Sequence, residues 1–111
     1  MAYKDPREPF THLSAAEAKR MMENGDAQVI DVRESSEYQN GHIPGAEHIP
    51  VNSVFARREE LSRDRDIIFV CAVGQRSALA CEMAAAAGLT RLQNVEGGTE
   101  AWIKAGYPVE K

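Results

Sequence analysis

Ile67-Ile68-Phe69-Val70-Cys71-Ala72-Val73-Gly74-Gln75-Arg76 is the stretch whose reading decides the fold. Its first four residues form a short apolar run behind the polar turn Ser62 to Asp66, the pattern of a fully buried strand. From Arg76 to Ala87 the chain is dense in alanine, lacks proline and stops at Gly88, so a helix is expected there. Strand, tight glycine-containing turn and helix in direct succession make the unit from which parallel α/β sheets are assembled.

Outward from this unit the same alternation recurs. On the N-terminal side, Ser14 and Glu17 have capping-box spacing, which opens a helix over Ala15 to Glu23 ahead of Gly25. Gln28 to Val32 reads as a second buried strand, and Glu34 to Asn40 as a short helix ended by Gly41. Ile43-Pro44-Gly45 forces an extended turn, after which Glu47 to Ile49 can form a strand. Ser53 is expected to cap a helix running to about Leu61. On the C-terminal side, Arg91 to Val95 gives a last strand before Gly97-Gly98, and Ala101 to Ala105 a short final helix closed by Gly106. The expected architecture is one α/β domain over residues 1–111, with a mainly parallel central sheet of four to five strands and helices on both faces.

Composition narrows the function. At 43% apolar and 27% charged residues, the chain is neither disordered nor of a membrane class. A formal net charge of −4 supplies no basic footprint for nucleic acid. Apolar runs as short as Ile67 to Val70 do not span a bilayer, and Met1 to Phe10 is polar and proline-containing, with no apolar signal core. The expectation is a cytoplasmic protein without nucleic-acid or membrane partners. The two cysteines, Cys71 and Cys81, form no CxxC pair and have no histidine at zinc-site spacing, so neither a disulfide framework nor a metal or other cofactor is expected.

What remains open is thiol chemistry, and Cys71 is placed for it. In open parallel sheets, ligands bind beyond the carboxyl ends of the strands, where backbone amides and helix N-termini converge. Cys71 follows the clearest strand directly. Gly74 allows the loop to curl until successive N–H groups surround the sulfur. That cradle, the helix N-terminus and Arg76 favour thiolate over thiol. A thiolate so held can take the outer sulfur of a donor as a persulfide and hand it to a second nucleophile.

Several separate motifs then agree. Asp31-Val32-Arg33 with Glu37-Tyr38 and Gly41-His42-Ile43-Pro44-Gly45-Ala46, the loop Phe69-Val70-Cys71 through Gly74-Gln75-Arg76-Ser77, and Gly97-Gly98 with Trp102 and Gly106-Tyr107-Pro108 together resemble the rhodanese homology domain. The similarity runs from about residue 13 to residue 109. It implies a rhodanese fold and a thiosulfate sulfurtransferase in which Cys71 is catalytic. The loop residues Ala72, Val73, Gly74, Gln75, Arg76 and Ser77 would then contact the donor, with Asp31 and Arg33 in support. Donors implied are thiosulfate or a protein persulfide, and acceptors are cyanide or a thiol.

Individual residues carry competing readings. Arg76 is expected to bind an anionic donor rather than make an ordinary ion pair, because an arginine at a helix N-terminus otherwise opposes the helix dipole. Asp31 and Arg33 read as a structural pair near the site. His42 belongs to the Gly41 to Ala46 turn, His12 and His48 have no assigned role, and Cys81, Trp102 and Tyr107 read as packing residues. Two alternative functions stand beside sulfur transfer. One is a persulfide relay or regulatory binding module acting only with a protein partner. The other is a cysteine phosphatase or arsenate reductase, disfavoured because four rather than five residues separate Cys71 from Arg76.

Overall fold

Five short strands, β1 (Thr11–Leu13), β2 (Gln28–Asp31), β3 (Glu47–His48), β4 (Ile67–Val70) and β5 (Leu92–Val95), pair into one sheet in the order β1-β5-β4-β2-β3. Every pairing is parallel. The computed structural model that shows this describes residues 2–111. Four α-helices connect or follow the strands: α1 (Ala15–Glu23), α2 (Ser35–Gln39), α3 (Gln75–Ala86) and α4 (Gly98–Lys104).

The central strands are buried on both faces, which is why they read as continuous apolar runs instead of alternating ones. Alternate residues feed two cores. Ile30, Val32, Ile67, Phe69, Cys71 and Leu92 face α3 through Ala80, Cys81 and Ala84. Val29, Ile68, Val70, Val95 and Leu13 face the other way, toward Ala15 and Ala18 of α1 and Trp102 of α4. The small side chains of α3 and α1 let both helices lie close to the sheet. Helix α1 starts at the expected capping box, with the Glu17 N–H donating to Ser14 Oγ at 3.1 Å and the Ser14 N–H to Glu17 Oε1 at 2.8 Å.

Three local features differ from the sequence reading. Strand β1 has too few residues to announce itself, and it is defined by pairing with β5 and by exchanging backbone bonds between His12 and Tyr3 on its outer side. The helix expected between Ser53 and Leu61 is instead two 3-10 turns, Val51–Ser53 and Arg58–Glu60. Val54 and Leu61 anchor the ends of this segment in the core while Phe55 stays 46% exposed, so an isolated short helix would have no continuous packed face to stabilise it. Helix α4 begins three residues earlier than expected, at Gly98, for a reason that lies in the site.

Candidate active site

Helix α3 returns from β4 along one face of the sheet, whereas α4 leaves β5 along the other, so the loops after these adjacent strands meet at the carboxyl ends of β4 and β5. Cys71 lies where they meet, directly after β4, 1% exposed. Its Sγ accepts the Gly74 N–H at 3.0 Å and lies 3.3 Å from Ser77 Oγ. Burial pushes the thiol up, but the Ser77 hydroxyl and the backbone N–H groups of Ser77, Gly74 and Val73 outweigh it and hold the Cys71 pKa below its ordinary value. The curl depends on Gly74, whose φ of +106° is one that L side chains rarely adopt.

The floor of the loop is held by α4. Two donors of Thr99, its N–H at 2.8 Å and Oγ1 at 3.1 Å, reach the Cys71 carbonyl, and the Glu100 N–H donates to the Ala72 carbonyl at 3.1 Å. These bonds occupy N–H groups that a helix start leaves without partners, and they draw the first turn of α4 back to Gly98. The approach requires glycine: a Cβ on Gly98 would stand 2.4 Å from the Cys71 oxygen. Sequence reading registered Gly97-Gly98 as a motif without this function, and it missed Thr99.

Arg76 is not the free cation expected. Its Nη1 and Nη2 donate to Glu37 Oε1 and Oε2 at 2.7 and 3.0 Å, a bidentate pair that joins α3 to α2. The Arg76 guanidinium is the main reason that the Glu37 carboxyl falls from 4.5 to about 2, with the Glu34 N–H adding to it against the effect of burial. The opposed helix dipole is thus offset by a carboxylate from another element. Of the remaining loop residues, Val73 and Gln75 are exposed, Ala72 and Gly74 half-buried, and Ser77 fully buried.

Asp31 and Arg33 sit beside the loop, not in it. Arg33 Nε and Nη2 clasp Asp31 at 3.0 and 2.8 Å, and Nη2 also reaches the Gly41 carbonyl at 2.8 Å. The pair is buried and fastens the end of β2 to the Gly41 turn. His42 and His48 stack on Tyr38, with ring centroids 3.7 and 4.7 Å away, and donate to the carbonyls of Tyr38 and Arg33. Cys81 is buried and its thiol is pushed well above the ordinary value, chiefly by burial. A surface hollow of about 270 Å³ beside the loop is lined by Val73, Gly97, Glu100, Ala101 and Lys104. A larger one, of about 340 Å³, lies around Tyr3, Ser14 and Glu96 and touches no residue of the loop.

The fold and site define a class: a parallel α/β protein that holds a cysteine thiol in a cradle of backbone donors. The profile of the rhodanese-like domain matches residues 14–105, and the chain belongs to that family. It is 33% identical to a sulfurtransferase of Allochromatium vinosum over 83% of this chain and 86% of that one. It is 30% identical to the thiosulfate sulfurtransferase GlpE of Vibrio cholerae, covering 91% and 95% of the two chains. A rhodanese-related protein of Thermoplasma volcanium superposes with a TM-score of 0.80 at 35% identity, over 89% of this chain and 96% of that structure. Among the described residues no helix is long and apolar enough to cross a membrane.

Proposed function

We propose that this protein is a sulfurtransferase that carries sulfane sulfur as a persulfide on Cys71. The observation that carries the reading is the environment of the sulfur, which is buried at the carboxyl end of β4 yet faces the Ser77 hydroxyl and the N–H groups of Val73, Gly74 and Ser77. A buried thiol without such donors would be inert. In the first half-reaction the Cys71 thiolate attacks the outer sulfur of the donor. With thiosulfate, the new S–S bond forms as the old one breaks, and sulfite leaves with the electron pair. The donors that held the thiolate then face the anionic persulfide. In the second half-reaction a thiol or cyanide takes the terminal sulfur and the thiolate returns, with thiocyanate as the product from cyanide.

Ala72, Val73, Gly74, Gln75, Arg76 and Ser77 are the donor-contacting residues in this reading, Asp31 and Arg33 its structural support, and residues 1–111 a single rhodanese-like domain acting in the cytoplasm. The family match and the two sulfurtransferase relatives support the reaction class. A second reading, a relay charged by a protein-bound persulfide, is favoured by one observation: the single cation between Cys71 and Ser77 is already neutralised by Glu37, which weakens the attraction for a small dianion.

The test is intact mass after incubation with thiosulfate, followed by cyanide and a thiocyanate assay, with Cys71→Ser as control. A gain of one sulfur discharged by cyanide and absent in the variant is expected. Absence of that gain on the folded, reduced protein rejects thiosulfate, and absence with a protein persulfide as well rejects the function.

A further inference from the structure

On the α3 face of the sheet, a row of polar side chains leads from the reactive sulfur to the protein surface. Ser77 Oγ, 3.3 Å from Cys71 Sγ, is also 2.5 Å from Asn94 Oδ1. Asn94 is 2% exposed, and its Nδ2 lies 3.5 Å from Nδ1 of His12, its register partner on β1. His12 Nε2 meets Glu8 Oε1 at 2.6 Å near the surface. None of these contacts except that of Ser77 to sulfur is used in the proposed reaction.

Proton counting gives this row two directions. A hydroxyl has one proton, so Ser77 donates either to Asn94 or to sulfur, and an amide presents oxygen to one neighbour and nitrogen to the other. With neutral His12, the carboxylate of Glu8 requires the proton on Nε2, and Nδ1 is left as an acceptor. Asn94 Nδ2 then donates to His12, and its oxygen, 2.5 Å from Ser77 Oγ, competes with Cys71 Sγ at 3.3 Å for the single Ser77 hydroxyl proton. With protonated His12, Nδ1–H must find an acceptor. Rotating the Asn94 amide supplies one, turns Nδ2–H toward Ser77 Oγ, and aims the Ser77 hydroxyl at the sulfur. No proton crosses the amide; His12 and Cys71 exchange protons with solvent separately.

We infer that His12 and Asn94 are positioning residues which set the direction of the Ser77 hydroxyl, so that protonation of His12 favours the anionic form of the Cys71 sulfur. The charged groups facing His12 are Glu8, within hydrogen-bond distance of Nε2, Glu96, whose Oε2 is 3.8 Å from Nδ1 and competes with Asn94 for its proton, and Asp5, which interacts with it through charge alone. Its remaining neighbours are the rings of Tyr3 and Phe10, with centroids at 4.7 and 5.0 Å. Tyr3 itself is tied to Glu96, the main cause of its raised pKa.

The inference rests on Cys71 being the sulfur carrier, but its test needs no sulfur donor. Alkylation of Cys71 by iodoacetamide is followed against pH in the full chain, in the wild type and in His12→Gln, Ser77→Ala and Glu96→Gln variants, each checked for fold by circular dichroism. At a pH acid enough to protonate the imidazole of His12 the wild type should alkylate about fivefold faster than extrapolation with unit slope predicts, because coupling between two sites of this kind is commonly of that size or larger. His12→Gln and Ser77→Ala should follow unit slope, whereas Glu96→Gln should keep or enlarge the excess. Equal curves in wild type and His12→Gln overturn the inference, and so does an excess that survives in Ser77→Ala, since that coupling would run through space.

Discussion

Replacing Glu37 by Gln removes one charge from the Arg76 pair while leaving an amide oxygen to accept the Glu34 N–H, which the carboxylate now accepts at 2.9 Å. The substitution therefore isolates electrostatics from capping. Because the carboxyl sits at about 2 in the folded protein against 4.5 ordinarily, the stabilisation by the pair is complete above pH 4.5 and is lost as the pH falls toward 2. Taken at face value that shift is worth about 3 kcal/mol, and solvent screening reduces it to about 1 kcal/mol. The screening applies because the Arg76 and Glu37 side chains are 35% and 34% exposed. Urea denaturation at neutral pH should show the variant weaker by about 1 kcal/mol, with the gap closing on acidification. The same change frees the guanidinium for an anionic donor. Thiosulfate KM should fall about fivefold, the equivalent of about 1 kcal/mol, with little change for an uncharged persulfide donor. A stability gap that is independent of pH, together with an unchanged KM, would refute the assignment of Glu37 as the group that neutralises Arg76.

Gly98→Ala would drive a methyl group to 2.4 Å from the Cys71 carbonyl oxygen, in a backbone conformation already unfavourable for alanine. A loss of about 2–4 kcal/mol in urea denaturation is expected, with reduced sulfur loading because the loop floor must move. Asp31→Ala leaves the buried Arg33 guanidinium without its counter-charge and should destabilise the fold by about 3 kcal/mol, measured in the same way. Peptide mapping after brief alkylation of the native protein near neutral pH should find Cys71 modified well ahead of Cys81, whose thiol is pushed up by burial. Equal labelling of the two would contradict the contrast between their environments.

Much of this protein is written locally in its chain. The apolar run Ile67 to Val70, the glycine turn and the alanine-rich helix are neighbours in sequence, so periodicity and propensity alone locate Cys71 at a strand end and predict a parallel α/β fold. The capping box of α1 is legible for the same reason, since its partners are three residues apart. What tertiary structure decided are the pairings between distant residues. Arg76 meets Glu37 across 39 positions, Thr99 reaches the Cys71 carbonyl across 28, and Asn94 meets His12 across 82. No local pattern encodes such contacts, because they follow from strand order and from which face each crossover takes. Thus the sequence located the candidate cysteine at a strand end and the glycine-containing loop around it. The neutralised arginine exists only once β4 lies beside β2, and the α4 floor beneath the cysteine and the polar row behind Ser77 only once β5 lies between β1 and β4.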